Sequence, residues 1–433
     1  MKRIYTIFFI AVLLIAGCKP NLTTTKPVAG TADFSKYLAV GTNFTAGFAD
    51  GTLYKTGQQN SYPSILATQF SMVGGGAFVQ PLLQTDAGYP SAKLVLGYAT
   101  DCSGTSLGPV NFTGSNSGDA ASVASQGPFN NVGVPVIKCS DYLTVGFGNQ
   151  NPYAARFFAN LATETPLMEA MRLGHTFFTC WLGPYDVLLY AVSGGTGNVP
   201  GTQLPDISDT GIFRHVYTTV VDSLTKNGAK GVLINVPSIS GMPFFTTIPP
   251  NGLVLDPTQA AALNSQWASN GNMSFHSDSN YFVVTDYASP NYTRQIYPDE
   301  FILLSANDSI KCAGWGSKIP ISTKYVLTRA KLANITSYIG YYNNIIQQAA
   351  TKYSIPYIDI NAYITTLQRG MAFNGVNFST QYIAGGAFSL DGIHFTPKGY
   401  ALIANEIIRN INNAYHSTIP YVDVNAYSGI KFP

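Results

Sequence analysis

Residues 176–182, TFFTCWL, form an unbroken apolar run that ends just before Gly183. Such runs are typical of strands that lie in a parallel sheet and are covered on both faces. A second apolar run, KGVLINV at residues 230–236, follows a stretch, 209–226, in which apolar residues recur at helical spacing. Strand, helix and strand in this order predict a parallel sheet wrapped by helices, with right-handed crossovers.

The same alternation extends from these runs towards both ends of the chain. Short apolar segments at 37–40 and 356–360 predict two further strands. Two irregular stretches, at about 71–150 and 238–323, interrupt the pattern. We therefore interpret residues 33–433 as one enlarged α/β domain with two long loop insertions, whose site lies at the carboxyl ends of the strands. Predicted helices span residues 61–70, 152–173, 209–226, 258–269, 328–353 and 397–411.

The composition excludes several classes of protein. Only 11% of the 433 residues are charged, against about 25% in an average soluble protein, and 13% are aromatic. A disordered chain has the opposite composition. The 24 Lys and Arg balance the 22 Asp and Glu without basic runs, which argues against binding to nucleic acid. A single apolar run of near-membrane length excludes a multispan membrane protein.

That single run opens the chain as MKRIYTIFFIAVLLIAG, residues 1–17, and is followed by Cys18. A charged head, a short apolar core and small residues before a cysteine resemble a bacterial lipoprotein signal, in which the cysteine receives lipid. Residues 18–32 are rich in Pro and Thr and predict a flexible tether. The alternative is an ordinary secretory signal with a chance cysteine. We expect a membrane partner through Cys18 and a place in the cell envelope, at the outer membrane, facing either the periplasm or the exterior.

Export to an oxidising compartment makes disulfides possible for the remaining cysteines. Cys102 and Cys139 both lie in loop-like sequence and are the better candidate pair. Cys180 lies inside the apolar run at 176–182, which predicts a buried thiol. The cysteine spacings match neither a zinc nor a redox motif, and we expect neither a metal nor a cofactor.

The richest chemical signal lies before the last predicted helix, where residues 390–397 read LDGIHFTP. Asp391 precedes His394 by three residues, so its carboxylate can orient the imidazole as a general base requires. Thr396 can cap the helix and Pro397 can take its first position. Taken alone, an Asp and a His in one loop more often form a structural hydrogen bond than a catalytic pair.

The wider sequence resembles the SGNH (GDSL) hydrolases, in particular their lipoprotein branch in Bacteroidetes-type bacteria. The resemblance implies a three-layer α/β/α, flavodoxin-like fold and hydrolysis of acyl or acetyl esters of carbohydrates or lipids. It extends from about residue 37 to residue 433. Four stretches carry it: VGTNFTAGF at 40–48, NNVGVP at 130–135, WLGPYDVL at 181–188 and FSLDGIHFTPKGY at 388–400.

The family mechanism uses a Ser nucleophile, a His base, an Asp that orients the His, and oxyanion donors from Gly and Asn. Carried over by position, Asp391 and His394 match the catalytic pair. The nucleophile falls on Asn43, whose carboxamide has no proton that an imidazole can remove near neutral pH. The oxyanion Gly falls on Val136 and the oxyanion Asn falls on Tyr185. The resemblance also implies pocket positions at Thr42, Thr45, Gly183 and Asp186.

These substitutions predict a chain that is inactive or strongly impaired as an esterase. Loss of one oxyanion donor typically lowers the rate by about 10²–10³, and loss of the nucleophile by about 10⁶. The old pocket could then bind an acylated glycan or a lipid without cleaving it. The alternative is an active esterase with a different nucleophile, such as Thr42 or a water activated by His394.

Overall fold

Five parallel strands form the central sheet of the computed structural model, which describes residues 26–270 and 273–433. The strands are β1 (Tyr37–Gly41), β2 (Asn131–Gly133), β3 (Phe177–Trp181), β4 (Lys230–Ile234) and β5 (Tyr357–Ile358). Their spatial order is β2-β1-β3-β4-β5, which is the flavodoxin-like order. The predicted α/β fold is confirmed, and both apolar runs, at 176–182 and 230–236, contain central strands.

Helices flank this sheet and share one large hydrophobic core with it. The main helices are α1 (Tyr62–Ser71), α2 (Tyr185–Val192), α3 (Thr210–Thr225), α4 (Arg329–Tyr353), α5 (Ile360–Gln368) and α6 (Pro397–Tyr415). Among them, α1 packs on α6, and α3 packs on α4. Polar residues cap the N-termini of two of these helices at the positions where the sequence predicts that the helices begin. Asp209 accepts hydrogen bonds from N–H groups in the first turn of α3, and Thr396 accepts one from Gly399 N–H in α6.

The two irregular stretches contain regular structure that the sequence pattern did not predict. The first holds β2 and an antiparallel hairpin. The second holds three short antiparallel pairs with two small hydrophobic clusters of their own. The hairpin is Leu94–Asp101 with Gly104–Asn111, and the short pairs are Leu253–Leu255 with Asp278–Asn280, Val283–Thr285 with Thr293–Gln295, and Phe301–Ile302 with Val326–Leu327. The second stretch also holds the helix Asn307–Ala313 and the helix Pro257–Gln266, which the sequence predicted at about 258–269.

The continuous helix predicted over 152–173 is wrong. The segment holds one 3₁₀ turn, Ala154–Arg156, and one short helix, Pro166–Met171. Between them, the Asn160 side chain accepts hydrogen bonds from Ala162 N–H and Thr163 N–H and closes a local turn. Pro166 lacks an N–H and therefore begins a new helix instead of continuing an old one.

The predicted pairing of Cys102 with Cys139 is also wrong. Cys102 forms a disulfide with Cys312, which joins the hairpin to the helix Asn307–Ala313. Cys139 is a free, buried thiol whose backbone N–H donates to Asp186, so it lies in the core rather than in an exposed loop. Cys180 is buried and free, as the sequence predicted.

The signal at 1–17 and Cys18 lie outside the described residues, as does most of the predicted tether. From Val28 onward the chain is attached to the domain: Val28 N–H donates to Thr418 Oγ1 at 2.9 Å, and Thr31 N–H donates to the Tyr415 carbonyl at 2.8 Å. Within residues 26–270 and 273–433, the helices are all too short or too polar to cross a membrane.

Candidate active site

Asp391 and His394 form a closed turn directly before α6. Asp391 Oδ1 accepts hydrogen bonds from Ile393 N–H and His394 N–H, both at 2.8 Å, which bends the chain back on the carboxylate. Its Oδ2 lies 2.7 Å from His394 Nδ1. Because an ionised carboxylate only accepts, Nδ1 carries the proton and Nε2 is the free ring nitrogen. The turn therefore holds the imidazole in the tautomer that a general base needs.

The charge state of Asp391 follows from its surroundings. Burial by itself would raise the pKa of this carboxyl. The electrostatic attraction to the His394 ring and the hydrogen bonds from His394 and Ile393 outweigh burial and hold the pKa well below its usual value. Ser389 Oγ and Gly51 N–H, each at 3.0 Å, also donate to it. Asp391 is therefore ionised and fully engaged.

Tyr185 occupies the other side of the imidazole. It is the first residue of α2, which follows β3 after a turn at Gly183. Its hydroxyl lies 2.9 Å from His394 Nε2, and the two rings are nearly parallel. Burial, followed by the nearby charge of Asp391, raises the pKa of Tyr185, so the phenol stays protonated. Its O–H donates a hydrogen bond to His394 Nε2. The nitrogen that would take a proton from a nucleophile thus accepts a hydrogen bond from the protein itself.

Asn43 and Val136 form a second internal hydrogen bond. Asn43 begins the short helix Asn43–Ala46 after β1, and its Oδ1 accepts the Val136 N–H at 2.6 Å. Val136 has a φ of +67°, a left-handed conformation that strongly favours glycine and is strained for a β-branched residue. The backbone at 136 therefore keeps a shape suited to glycine, and its N–H points at the side chain at 43.

Aromatic rings that the sequence analysis missed close the site. The ring of Phe44 lies 5.1 Å from the imidazole of His394, and the ring of Phe48 lies 4.7 Å from it. Asn43, His394 and Tyr185 expose only 1%, 3% and 6% of their surface. The short distance of Phe44 and Phe48 from Asn43 in the sequence was the available signal that their rings lie at the site. Apolar side chains after a strand, however, usually indicate core packing.

The remaining predicted positions are structural neighbours of this cluster. Thr42 is fully buried, and its hydroxyl has no hydrogen-bond partner among the described residues. Thr45 Oγ1 lies 3.1 Å from Tyr62 Oη. Gly183 has a φ of +109°, and a Cβ there would lie 2.7 Å from Val236 Cγ2, so a side chain does not fit. Asp186 is fully buried and accepts the Cys139 N–H at 2.7 Å.

A second carboxylate behind Asp391 was not predicted. Asp50 Oδ1 accepts the Leu390 N–H, and Asp50 N–H donates to Ser389 Oγ, both at 3.0 Å. Burial raises the pKa of Asp50, and hydrogen bonds from Leu390 and Tyr54 oppose this shift. Asp50 lies seven residues from Asn43 in a loop without a recognisable motif, so only the fold brings it to Asp391.

Among the residues of the described ranges, one group of side chains lies close enough together to share a metal ion: Asp101, Cys102 and Cys312. The two sulfur atoms are joined in the disulfide, so they cannot act as thiolate ligands. This group therefore lacks the donor set for a soft metal.

Comparison with protein families gives a match to part of the chain. The family model for GDSL-like lipase/acylhydrolase matches residues 279–407, which include Asp391 and His394 but not positions 43, 136 and 185. No curated protein matches the chain. The parallel sheet flanked by helices is consistent with the fold of that family. Residues 279–407 are thus similar to the GDSL-like lipase/acylhydrolase family.

Proposed function

We propose that this chain is a GDSL-family acylhydrolase relative that has lost ester hydrolysis. One observation carries the proposal: the protein's own side chains engage both groups that the reaction would use. Asn43 Oδ1 accepts the Val136 N–H, a donor that the family mechanism directs at the oxyanion. The Tyr185 hydroxyl donates to His394 Nε2, which the mechanism needs as the base.

The burial of the site also bears on ligand binding. Asn43, His394 and Tyr185 are almost completely buried, and Phe44 and Phe48 pack against the imidazole. An acylated glycan or a lipid could not reach His394 without moving these rings. The packing thus argues against binding in the former catalytic pocket and favours a structural role for the Asp391–His394 pair.

The alternative of a different nucleophile has less support. Thr42 carries an unpartnered hydroxyl, which is the feature that favours it. However, Thr42 is fully buried, and His394 Nε2 is bonded to Tyr185 rather than to Thr42. A water activated by His394 would have to displace the Tyr185 hydroxyl. Both routes therefore need Tyr185 to move first.

An esterase assay on the purified chain without its signal tests the proposal, with p-nitrophenyl acetate and p-nitrophenyl butyrate as substrates. We expect the natural chain and His394→Ala to give the same background rate. Asn43→Ser alone should stay near background, because Tyr185 still engages the base. The triple variant Asn43→Ser/Val136→Gly/Tyr185→Asn should exceed Asn43→Ser by roughly a hundredfold or more, since Tyr185→Asn releases the base and supplies an oxyanion donor.

The matched control is the same triple variant with His394→Ala, which should return to background. Turnover by the natural chain that disappears on His394→Ala would overturn the proposal. If Thr42 were the nucleophile, Thr42→Val would remove that turnover; if water were, Thr42→Val would leave it unchanged.

We further propose that the chain is exported and held in the cell envelope by lipid on Cys18. The signal-like residues 1–17 and the cysteine after them support this placement. The disulfide between Cys102 and Cys312 supports an oxidising compartment, where such bonds persist.

A further inference from the structure

A cavity of about 460 Å³ lies behind the Asp391–His394 turn, and we call it the Asp50 cavity. Its volume is in the range of small-molecule sites, roughly 300–1,000 Å³. Leu390 in the wall is the residue next to Asp391, so the cavity adjoins the turn. Polar and apolar side chains both line it, among them Asp50, Tyr54, Asp86, Lys93, Leu390 and Phe432.

Its carboxylates keep capacity to accept hydrogen bonds. Asp50 is held from behind by Leu390 N–H at 3.0 Å and by the Tyr54 hydroxyl at 2.7 Å, and each carboxylate oxygen can accept more than one bond. Asp86 Oδ1 accepts both donors of Thr56, the N–H at 2.7 Å and the hydroxyl at 2.8 Å. Asp86 Oδ2 has no partner within the described ranges.

Lys93 supplies the complementary donor. Its ammonium lies 4.4 Å from the centre of the Tyr54 ring and 5.3 Å from that of Phe112, which fixes it by cation–π attraction. It has no hydrogen-bond acceptor or carboxylate partner among the residues the structure describes. Its three N–H donors are thus available to a ligand.

The charge balance favours a neutral ligand. Among the side chains that line the cavity, the carboxyl groups of Asp50 and Asp86 are matched in number by the ammonium groups of Lys93 and Lys431, so these side chains favour neither an anion nor a cation. Leu94, Ile430 and the exposed Phe432 add apolar surface to the same wall. Sugars present hydroxyls that donate to carboxylates and accept from ammonium groups, together with apolar C–H faces that pack on such side chains.

We propose that the Asp50 cavity binds a carbohydrate. The hydroxyls would donate to Asp50 and Asp86 and accept from Lys93, and a ring face would pack on Phe432. This site is separate from the buried His394–Tyr185 pair, and binding there requires no ester chemistry.

Saturation-transfer NMR and calorimetry on the purified, disulfide-bonded chain test the proposal with named probes. The probes are maltotetraose, cellotetraose and chitotetraose, each at up to about 10 mM, with glycylglycine as a zwitterionic probe of similar hydrogen-bonding capacity. We expect at least one oligosaccharide to bind and glycylglycine not to bind. Lys93→Met and Asp86→Asn should each weaken binding about tenfold, because each removes a hydrogen bond to a charged group.

Matched controls use a second surface cavity of about 640 Å³, lined by residues that include Asp222 and Lys226. Asp222→Asn and Lys226→Met make the same chemical changes there and should leave oligosaccharide binding unchanged. Failure of all three oligosaccharides to bind, binding that ignores Lys93→Met and Asp86→Asn, or binding of glycylglycine instead would each overturn the proposal. None of the probes is an ester, so the result does not depend on whether the chain hydrolyses esters.

Discussion

At the scale of single residues, hydrogen bonds inside the protein engage the polar groups around His394. Val136 retains a left-handed φ of +67°, which its side chain disfavours and a glycine would adopt freely. Such strain persists only where the surrounding structure holds it, and the bond from Val136 N–H to Asn43 is one such restraint. The side chains of Asn43 and Tyr185 therefore each make a hydrogen bond inside the protein, and the strained backbone at Val136 supplies the donor of one of them.

Also at this scale, the sequence indicated residue types but not contacts. Asp391 and His394 could be paired from their spacing of three residues, because that distance is local. The bond between Tyr185 and His394 joins residues 209 positions apart, and the packing of Phe44 and Phe48 on the imidazole comes from a third segment. These contacts depend on how β1, β3 and the last loop meet, which no local pattern specifies.

At the scale of elements, the disulfide between Cys102 and Cys312 ties the first irregular stretch to the second. It links the hairpin Leu94–Asp101/Gly104–Asn111 to the helix Asn307–Ala313. An ion pair between Lys311 and Asp101, at 2.5 Å, lies beside it. The residues around the hairpin turn are exposed, so the hairpin has little core to stabilise it alone.

We therefore expect Cys102→Ser/Cys312→Ser to destabilise the protein by about 2–4 kcal/mol, the usual range for a disulfide. The hairpin at 94–111 should also become the first site of cleavage in limited proteolysis. Urea unfolding and mass mapping of the fragments measure the two effects. A reducing agent should reproduce both effects in the natural chain and change nothing in the double variant. Equal stability and equal cleavage of the two proteins would contradict this expectation.

At the scale of the whole molecule, a buried carboxyl makes stability depend on pH. Asp186, in the first turn of α2, is fully buried, and burial, opposed in part by the Cys139 N–H, raises its pKa to about 7. The charges of Asp141 and Lys138 act on it in opposite directions, because Asp141 raises the pKa and Lys138 lowers it. The folded state therefore binds a proton that the unfolded state has already released at intermediate pH.

The sign of the effect follows from this difference in bound protons. As pH rises from about 4 to about 7, the unfolded state loses the Asp186 proton first, so this residue's contribution to the free energy of unfolding falls. Asp186→Asn removes that dependence and can still accept the Cys139 N–H. We expect the free energy of unfolding of the variant, relative to that of the natural chain, to increase by on the order of 3 kcal/mol as the pH rises from 5 to 8.

Thermal unfolding of both proteins across this pH range measures the difference. Asp222→Asn, on the solvent-facing side of α3, controls for the loss of one carboxylate. A constant difference between Asp186→Asn and the natural chain at every pH would show that Asp186 does not carry the proton.

The attachment of the whole molecule to a membrane is tested at Cys18. If this cysteine is lipidated, the full chain made in bacteria should incorporate labelled palmitate and fractionate with membranes. Cys18→Ala should lose the label and move to the aqueous fraction, whereas Cys102→Ser should keep it. Absence of label from the natural chain, or its persistence in Cys18→Ala, would contradict lipidation.

The sequence by itself determined the parallel α/β sheet, most of its helices and the Asp391–His394 pair, because apolar periodicity, helix caps and a three-residue spacing are local properties. It failed for residues 152–173, for β2 and for the cysteine pairing, where side-chain turns and distant contacts outweigh local preference. Only the tertiary structure decided that Asn43 and Tyr185 engage Val136 and His394, and that Asp50 and Lys93 line a cavity behind them. Those contacts join segments far apart in the chain, so their geometry exists only once the strands have assembled.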